Sequence, residues 1–191
     1  MEWLYEHNTD NSARFTLGTI GVNPLICFGI NPSTAEPNNL DPTVNYVNRL
    51  ALQNGYDSFV MLNVYPQRAT NPNDLHKSFQ EDLKSTNERH IAALIEGKSM
   101  TLWAAWGRLI TKRTYLAALV QSIVALPELQ NCNWVSRGNI TKDGHPHHPL
   151  YVKKEIPFVP FDMSRYIKRF SNFVAFQATS PPTASAILKS Q

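Results

Sequence analysis

The sequence predicts an α/β protein: a three-layer sandwich in which helices cover both faces of a mainly parallel central sheet. Three observations carry this expectation. Strand-like runs alternate with segments of helical period, as parallel neighbours joined by crossovers require. Leu25-Ile26-Cys27-Phe28-Gly29-Ile30 is a continuous apolar run, the pattern of a strand buried on both faces. Polar, proline-stiffened segments then follow directly on strand-like runs, where ligand crevices of open α/β sheets form.

Taken in order, residues 14–21 read as a leading strand and residues 25–30 as a buried one. Asp41-Pro42 supplies an N-cap and a first-turn proline, and Val44, Val47 and Leu50 recur at helical spacing until Asn54-Gly55. Residues 58–63 form the next strand, and the stretch from Tyr65 to Asp74, with Pro66 and Pro72, reads as a loop. Ser85 and Glu88 have capping-box spacing for a helix that presents Ile91, Leu94 and Ile95 and closes at Gly97. A strand over 100–105 leads into Trp106-Gly107-Arg108, and Tyr115, Leu116, Leu119 and Ile123 mark a helix stopped at Leu126-Pro127. Residues 132–136 are expected as a strand, Lys142-Asp143-Gly144 as a turn, residues 156–161 as a strand, and a short helix runs from Asp162 to about Phe170. Residues 1–170 are thus expected to form a single α/β domain. Residues 171–191, rich in Ser, Thr, Pro and Ala at Thr179-Ser180-Pro181-Pro182, are expected to be a loosely ordered tail.

Composition narrows the function classes. With 42% apolar residues, nine Phe, seven Tyr and four Trp among 191, the chain can fill a sizeable core. No apolar stretch approaches the roughly 20 residues of a membrane span, and Met1-Glu2-Trp3-Leu4-Tyr5-Glu6 lacks the build of a secretory signal, so the expected address is cytoplasmic, with no membrane partner. Cys27 and Cys132 have no metal-like spacing and are expected to be reduced packing residues. The net charge is +3 but uneven: residues 1–97 carry six Lys/Arg against eleven Asp/Glu, residues 98–191 twelve against four. A basic second half suits phosphate or nucleic acid.

Four loops at four strand ends carry the candidate chemistry. They supply Gly29, Asn31, Pro32, Ser33 and Thr34; then Asn63, Tyr65 and Arg68; then Trp106 and Arg108; and finally His145, His147, His148, Pro149, Leu150 and Tyr151. Amides match the edge of a nucleobase, aromatic rings offer stacking faces, and Arg or His suits phosphate. The expected ligand is therefore a nucleotide or nucleic acid. Competing roles exist for the same residues: a strand-exit turn for Asn31 to Thr34, loop anchoring for Asn63, core capping for Tyr65, and pairing of Arg68 with Asp41 or Asp74. Adjacent histidines rarely all ligate one metal and no cysteine cluster completes a set, so no metal and no cofactor are expected. Ser33 lacks the GxSxG elbow of a nucleophilic serine, and Walker, GxGxxG and HExxH signatures are absent.

The order of these motifs resembles the uracil-DNA glycosylase superfamily. Gly29-Ile30-Asn31-Pro32 is similar to the first motif of its mismatch-specific branch. Met61-Leu62-Asn63 resembles the strand-end asparagine of the uracil-specific branch, and the histidine-proline segment resembles that branch's late loop. A closer likeness, over roughly residues 14–161, is to an uncharacterised bacterial and phage family, the domain of unknown function numbered 1643. Its pattern recurs as Asn31-Pro32-Ser33-Thr34-Ala35, Asp41-Pro42-Thr43, Arg68-Ala69-Thr70, Trp106-Gly107 and Thr141-Lys142-Asp143-Gly144 leading into His148-Pro149-Leu150-Tyr151.

The glycosylase resemblance implies a uracil-DNA-glycosylase-like fold and an N-glycosidic hydrolase. In it Asn31 positions the attacking water, Asn63 reads the base edge, and His148 stabilises the departing base anion, with Asn31 and His148 the catalytic pair. His145-Pro146 matches the same motif if one residue is inserted. Ser33-Thr34 stand where the two branches carry glycine or an aromatic, and an amide at Asn31 is a poor general base, so a non-catalytic nucleotide or nucleic-acid binding module is the alternative.

Overall fold

The computed structural model describes residues 2–169; the predicted tail from residue 171 lies outside the described residues. Seven strands form one sheet: β1 (Trp3–His7), β2 (Arg14–Thr19), β3 (Pro24–Gly29), β4 (Ser58–Asn63), β5 (Thr101–Ala104), β6 (Asn133–Arg137) and β7 (Phe158–Pro160), in the order β1-β2-β4-β3-β5-β6-β7. Helices α1 (Pro42–Gln53), α2 (Glu81–Ile95) and α3 (Tyr115–Val124) join the inner strands, and residues 163–169 form a fourth helix, α4.

The sheet is mixed rather than mainly parallel. The pairings β4 to β3, β3 to β5 and β5 to β6 are parallel, whereas β1 to β2, β2 to β4 and β6 to β7 are antiparallel. Link length explains the correction. Each inner pairing spans a crossover that contains a helix, which is what the alternating pattern registers. Between β2 and β3 only residues 20–23 intervene, too few for a crossover, and β1 returns to β2 through the tight turn at Asn8 to Ala13. β1 itself was not expected from the sequence; its five residues are too few to show a clear alternation beside that polar turn.

Strand alternation divides the core in two. Leu25, Cys27, Phe59, Met61 and Trp103 pack with Val44, Val47, Leu50 and Ala51 of α1. Ile26, Phe28, Val60, Leu62, Leu102 and Ala104 pack with Ile91 and Ile95 of α2 and Leu116, Leu119 and Ile123 of α3. Helices therefore cover both faces. Asp41 caps α1 as its sequence demands, Oδ1 accepting from the Val44 amide at 2.9 Å. The predicted capping box at Ser85 is not used: α2 begins four residues earlier, at Glu81, where Glu81 and Asp82 place negative charge at the helix N-terminus. Among the described residues no helix is long and apolar enough to cross a membrane.

Candidate functional site

The loops after β3 and β4 are zipped together by the backbone. The Val64 and Tyr65 amides donate to the Gly29 and Ile30 carbonyls, and the Ala69 amide donates to the Pro32 carbonyl, each at 2.9 Å. Side chains reinforce this. Asn31 Nδ2 donates to the Pro32 carbonyl (2.9 Å) and to the Ala69 carbonyl (2.8 Å), and Ser33 Oγ shares a 3.0 Å hydrogen bond with Thr70 Oγ1. Arg68 tightens the same junction through the Ser33 carbonyl, Asn11 and Tyr5, and pairs with Glu36 at 3.6 Å rather than with Asp41 or Asp74.

Beyond the carboxyl ends of β3, β4 and β5 lies a cavity of about 160 Å³. Gly29, Asn31, Pro32 and Ser33 line it from the first loop, Asn63 from the end of β4, Trp106 from the end of β5, and His148 and Pro149 from the late loop. Gly29 faces Asn63 in register, and a Cβ there would stand 3.2 Å from Asn63 Oδ1. Asn63 is 1% exposed; its carbonyl accepts from Asn87 Nδ2 at 2.9 Å, while its own Nδ2 is a buried donor with no partner among the described residues.

His148 reaches this cavity because the late loop is tied down at several points. Tyr46 of α1 donates to the Val152 carbonyl at 2.9 Å, and Arg137 donates to the carbonyls of Lys153 and Lys154. Gly107, at φ +60°, allows His148 to approach: a Cβ there would lie 3.1 Å from His148 Cβ. His148 caps the short 3-10 turn at Pro149–Tyr151, its Nδ1 accepting from the Leu150 amide at 3.3 Å. Since that amide only donates, the neutral ring carries its proton on Nε2. Burial lowers the His148 pKa, partly countered by Asp41, so the neutral donor form dominates near pH 7.

Other predicted residues stand elsewhere. Arg68 and Thr34 line an adjoining open hollow of about 330 Å³ that shares Ser33, Ala69 and Thr70 with the cavity. Tyr65 is fully buried, its hydroxyl bonded to His76 Nδ1 and accepting from the Gln80 amide, so it packs in the core and does not line this cavity. His145 is also buried. Trp106 Nε1 donates to the Tyr166 hydroxyl at 3.0 Å, which lies 3.1 Å from His145 Nδ1, and burial lowers the His145 pKa. His145 thus braces the back of Trp106, and Trp106, 1% exposed, presents only a patch of wall in place of an open stacking face. Leu150 and Tyr151 point outward, Tyr151 with 83% exposure. Arg108 pairs with Asp143 at 2.9 Å on the surface.

Two charged residues of the cavity were not singled out for chemistry from the sequence. Asp41, expected as a cap or as a partner for Arg68, lines it beside Thr43 and Val44, and its pattern Asp41-Pro42-Thr43 was the available signal. Arg14, at the start of β2, lines it as well and is 1% exposed. Its signal was a cation heading an otherwise uncharged strand, Arg14-Phe15-Thr16-Leu17. Burial, and then repulsion from Arg68, lowers the Arg14 pKa to about 10.

The molecule is therefore a mixed α/β protein with an amide- and histidine-lined cavity at the carboxyl ends of its parallel strands. The chain belongs to the family described as Protein of unknown function (DUF1643), whose profile matches residues 14–150. No curated protein and no solved structure matches it.

Proposed function

We propose that the cavity receives a single-ring nucleobase of a nucleotide or nucleic acid and that the chain hydrolyses the N-glycosidic bond to it, within a uracil-DNA-glycosylase-like arrangement of layers. The observation that carries this reading is the convergence of Asn31, Asn63 and His148, remote in sequence, on one cavity. Size supports it: an apolar cavity of about 150 Å³ accepts benzene, so this one suits one six-membered ring.

In this reading the Asn63 amide addresses the base edge. His148 Nε2–H donates to the ring oxygen on which charge grows. The C1′–N bond breaks with its electron pair moving to the ring nitrogen, and a water oxygen bonds to C1′. The water's proton passes to Asp41, whose Oδ2 is not used in capping α1, and from there to the base, giving free base and an abasic sugar. Asn31 Oδ1 orients the water, because both hydrogens of its Nδ2 are committed to carbonyls.

The test is incubation with oligonucleotides carrying uracil, mismatched thymine or hypoxanthine, scoring abasic sites. Cleavage of the pyrimidines, lost in Asn31→Ala and His148→Ala, is expected, with the two-ring hypoxanthine refused. Absence of abasic sites from every pyrimidine substrate would sink the reading. The rigid tethering of Asn31 favours one second reading, a non-catalytic binding module. That reading expects a salt-sensitive gel shift without cleavage.

A further inference from the structure

We propose that Arg14 is the charge-recognition group of the cavity and that the ligand it selects is a planar six-membered heterocycle bearing a negative charge spread over its ring atoms and exocyclic oxygens. This rests on the reading of the cavity as a nucleobase site.

Arg14 is buried, yet among the described residues it forms no ion pair within 4.0 Å. Among the same residues its guanidinium makes one hydrogen bond, from Nη1 to the Ala35 carbonyl at 3.0 Å, and its Nε has no partner. A guanidinium has five N–H donors in a fixed fork. Burying such a charge without a partner is costly, and a site lined by it gains when a ligand brings the opposite charge. Asp41, Tyr5 and Glu36 act on Arg14 only at longer range, and Arg68 opposes it.

Shape and charge select the ring over a phosphate. The cavity is ring-sized, and Asn63, whose Nδ2 is a second buried donor unpartnered among the described residues, lines it too, so a flat ring with acceptors on its edge can satisfy both. Asp41 also lines the cavity. Its carboxylate repels a compact tetrahedral dianion more strongly than a flat ring whose single charge is spread over several atoms. In the hydrolysis proposed above, the pair released from C1′ makes the departing ring such an anion. Arg14 neutralises it until the proton taken from water returns to the ring nitrogen.

The experiment titrates the full chain with barbiturate, a planar ring anion at neutral pH, with uracil, its neutral counterpart, and with inorganic phosphate, by calorimetry. Wild type is expected to bind barbiturate at least about tenfold more tightly than uracil, and Arg14→Met to bind both alike. The ligand-free Arg14→Met protein is expected to melt at or above the wild-type temperature, since an unpaired buried charge is removed. Equal wild-type affinity for the two rings, no binding of barbiturate, a preference that survives Arg14→Met, or tighter Arg14-dependent binding of phosphate would each overturn the proposal. If Arg14→Met does not fold, the wild-type titrations alone decide. Abasic-site formation without the ring-anion preference would remove this inference and leave hydrolysis standing; the preference without abasic sites would do the reverse.

Discussion

Asn31 Nδ2 donates to the Ala69 carbonyl at 2.8 Å across 38 positions of sequence, so the loop that ends β3 is tied directly to the loop that ends β4. The cavity wall is consequently preorganised before any ligand arrives.

Replacing Asn31 by alanine leaves the Pro32 and Ala69 carbonyls without that donor and is expected to lower stability by about 1–3 kcal/mol. Urea denaturation measures this. Asn31→Asp should be at least as harmful to folding, because a carboxylate oxygen would face two carbonyl oxygens. Wild-type stability in either variant would show that the tether does not matter.

Asp41 allows its two roles to be separated. Asparagine caps helices about as well as aspartate, so Asp41→Asn should keep stability within roughly 0.5 kcal/mol, whereas Asp41→Ala should cost about 1 kcal/mol. If Asp41 takes the water's proton, both variants lose abasic-site formation alike. Retained cleavage in Asp41→Asn would restrict this residue to capping α1.

Gly107→Ala combines two penalties, a side chain at φ +60° and a Cβ placed 3.1 Å from His148 Cβ. The first alone costs about 1–2 kcal/mol. Thermal unfolding should register this loss, and ring binding should weaken because His148 is displaced. An alanine variant with unchanged stability and unchanged binding would contradict the close packing.

His145 and His148 both have pKa values lowered from 6.5 by burial. The unfolded chain therefore binds more protons than the native state between the ordinary and the lowered values. Stability is complete above 6.5 and falls as the pH drops through that window, because protonation favours unfolding. Urea midpoints measured from about pH 7.5 down to pH 5 should decline, and His145→Gln combined with His148→Gln should flatten the decline. A wild-type midpoint independent of pH over that range would refute it.

Much of the fold was legible because it is local. Apolar β3, the Asp41-Pro42 start of α1 and strand β4 at Ser58–Asn63 each follow from side-chain periodicity and capping within a few residues. Strand direction was legible only where a helix intervenes; the antiparallel β1, β2 and β7 depend on link length and on which edge remains open. In the site, Asn31, Asn63 and His148 were readable as polar residues beside strand ends. Tyr65 and His145 looked identical by that criterion, yet they turn into the core.

By itself the sequence determined the order of strands and helices from β2 onward, the Asp41 cap of α1, and the family, for these rest on neighbouring residues and on motif order. Only the tertiary structure decided that Arg14 from β2 and Asp41 from the cap of α1 join Asn31, Asn63 and His148 around one cavity. It also decided that Arg14 arrives there with no carboxylate within ion-pair distance among the described residues. The reason is physical: burial, and with it the energy of a charge or an amide, is set by the elements that pack over a residue, and sequence distance does not specify which elements those are.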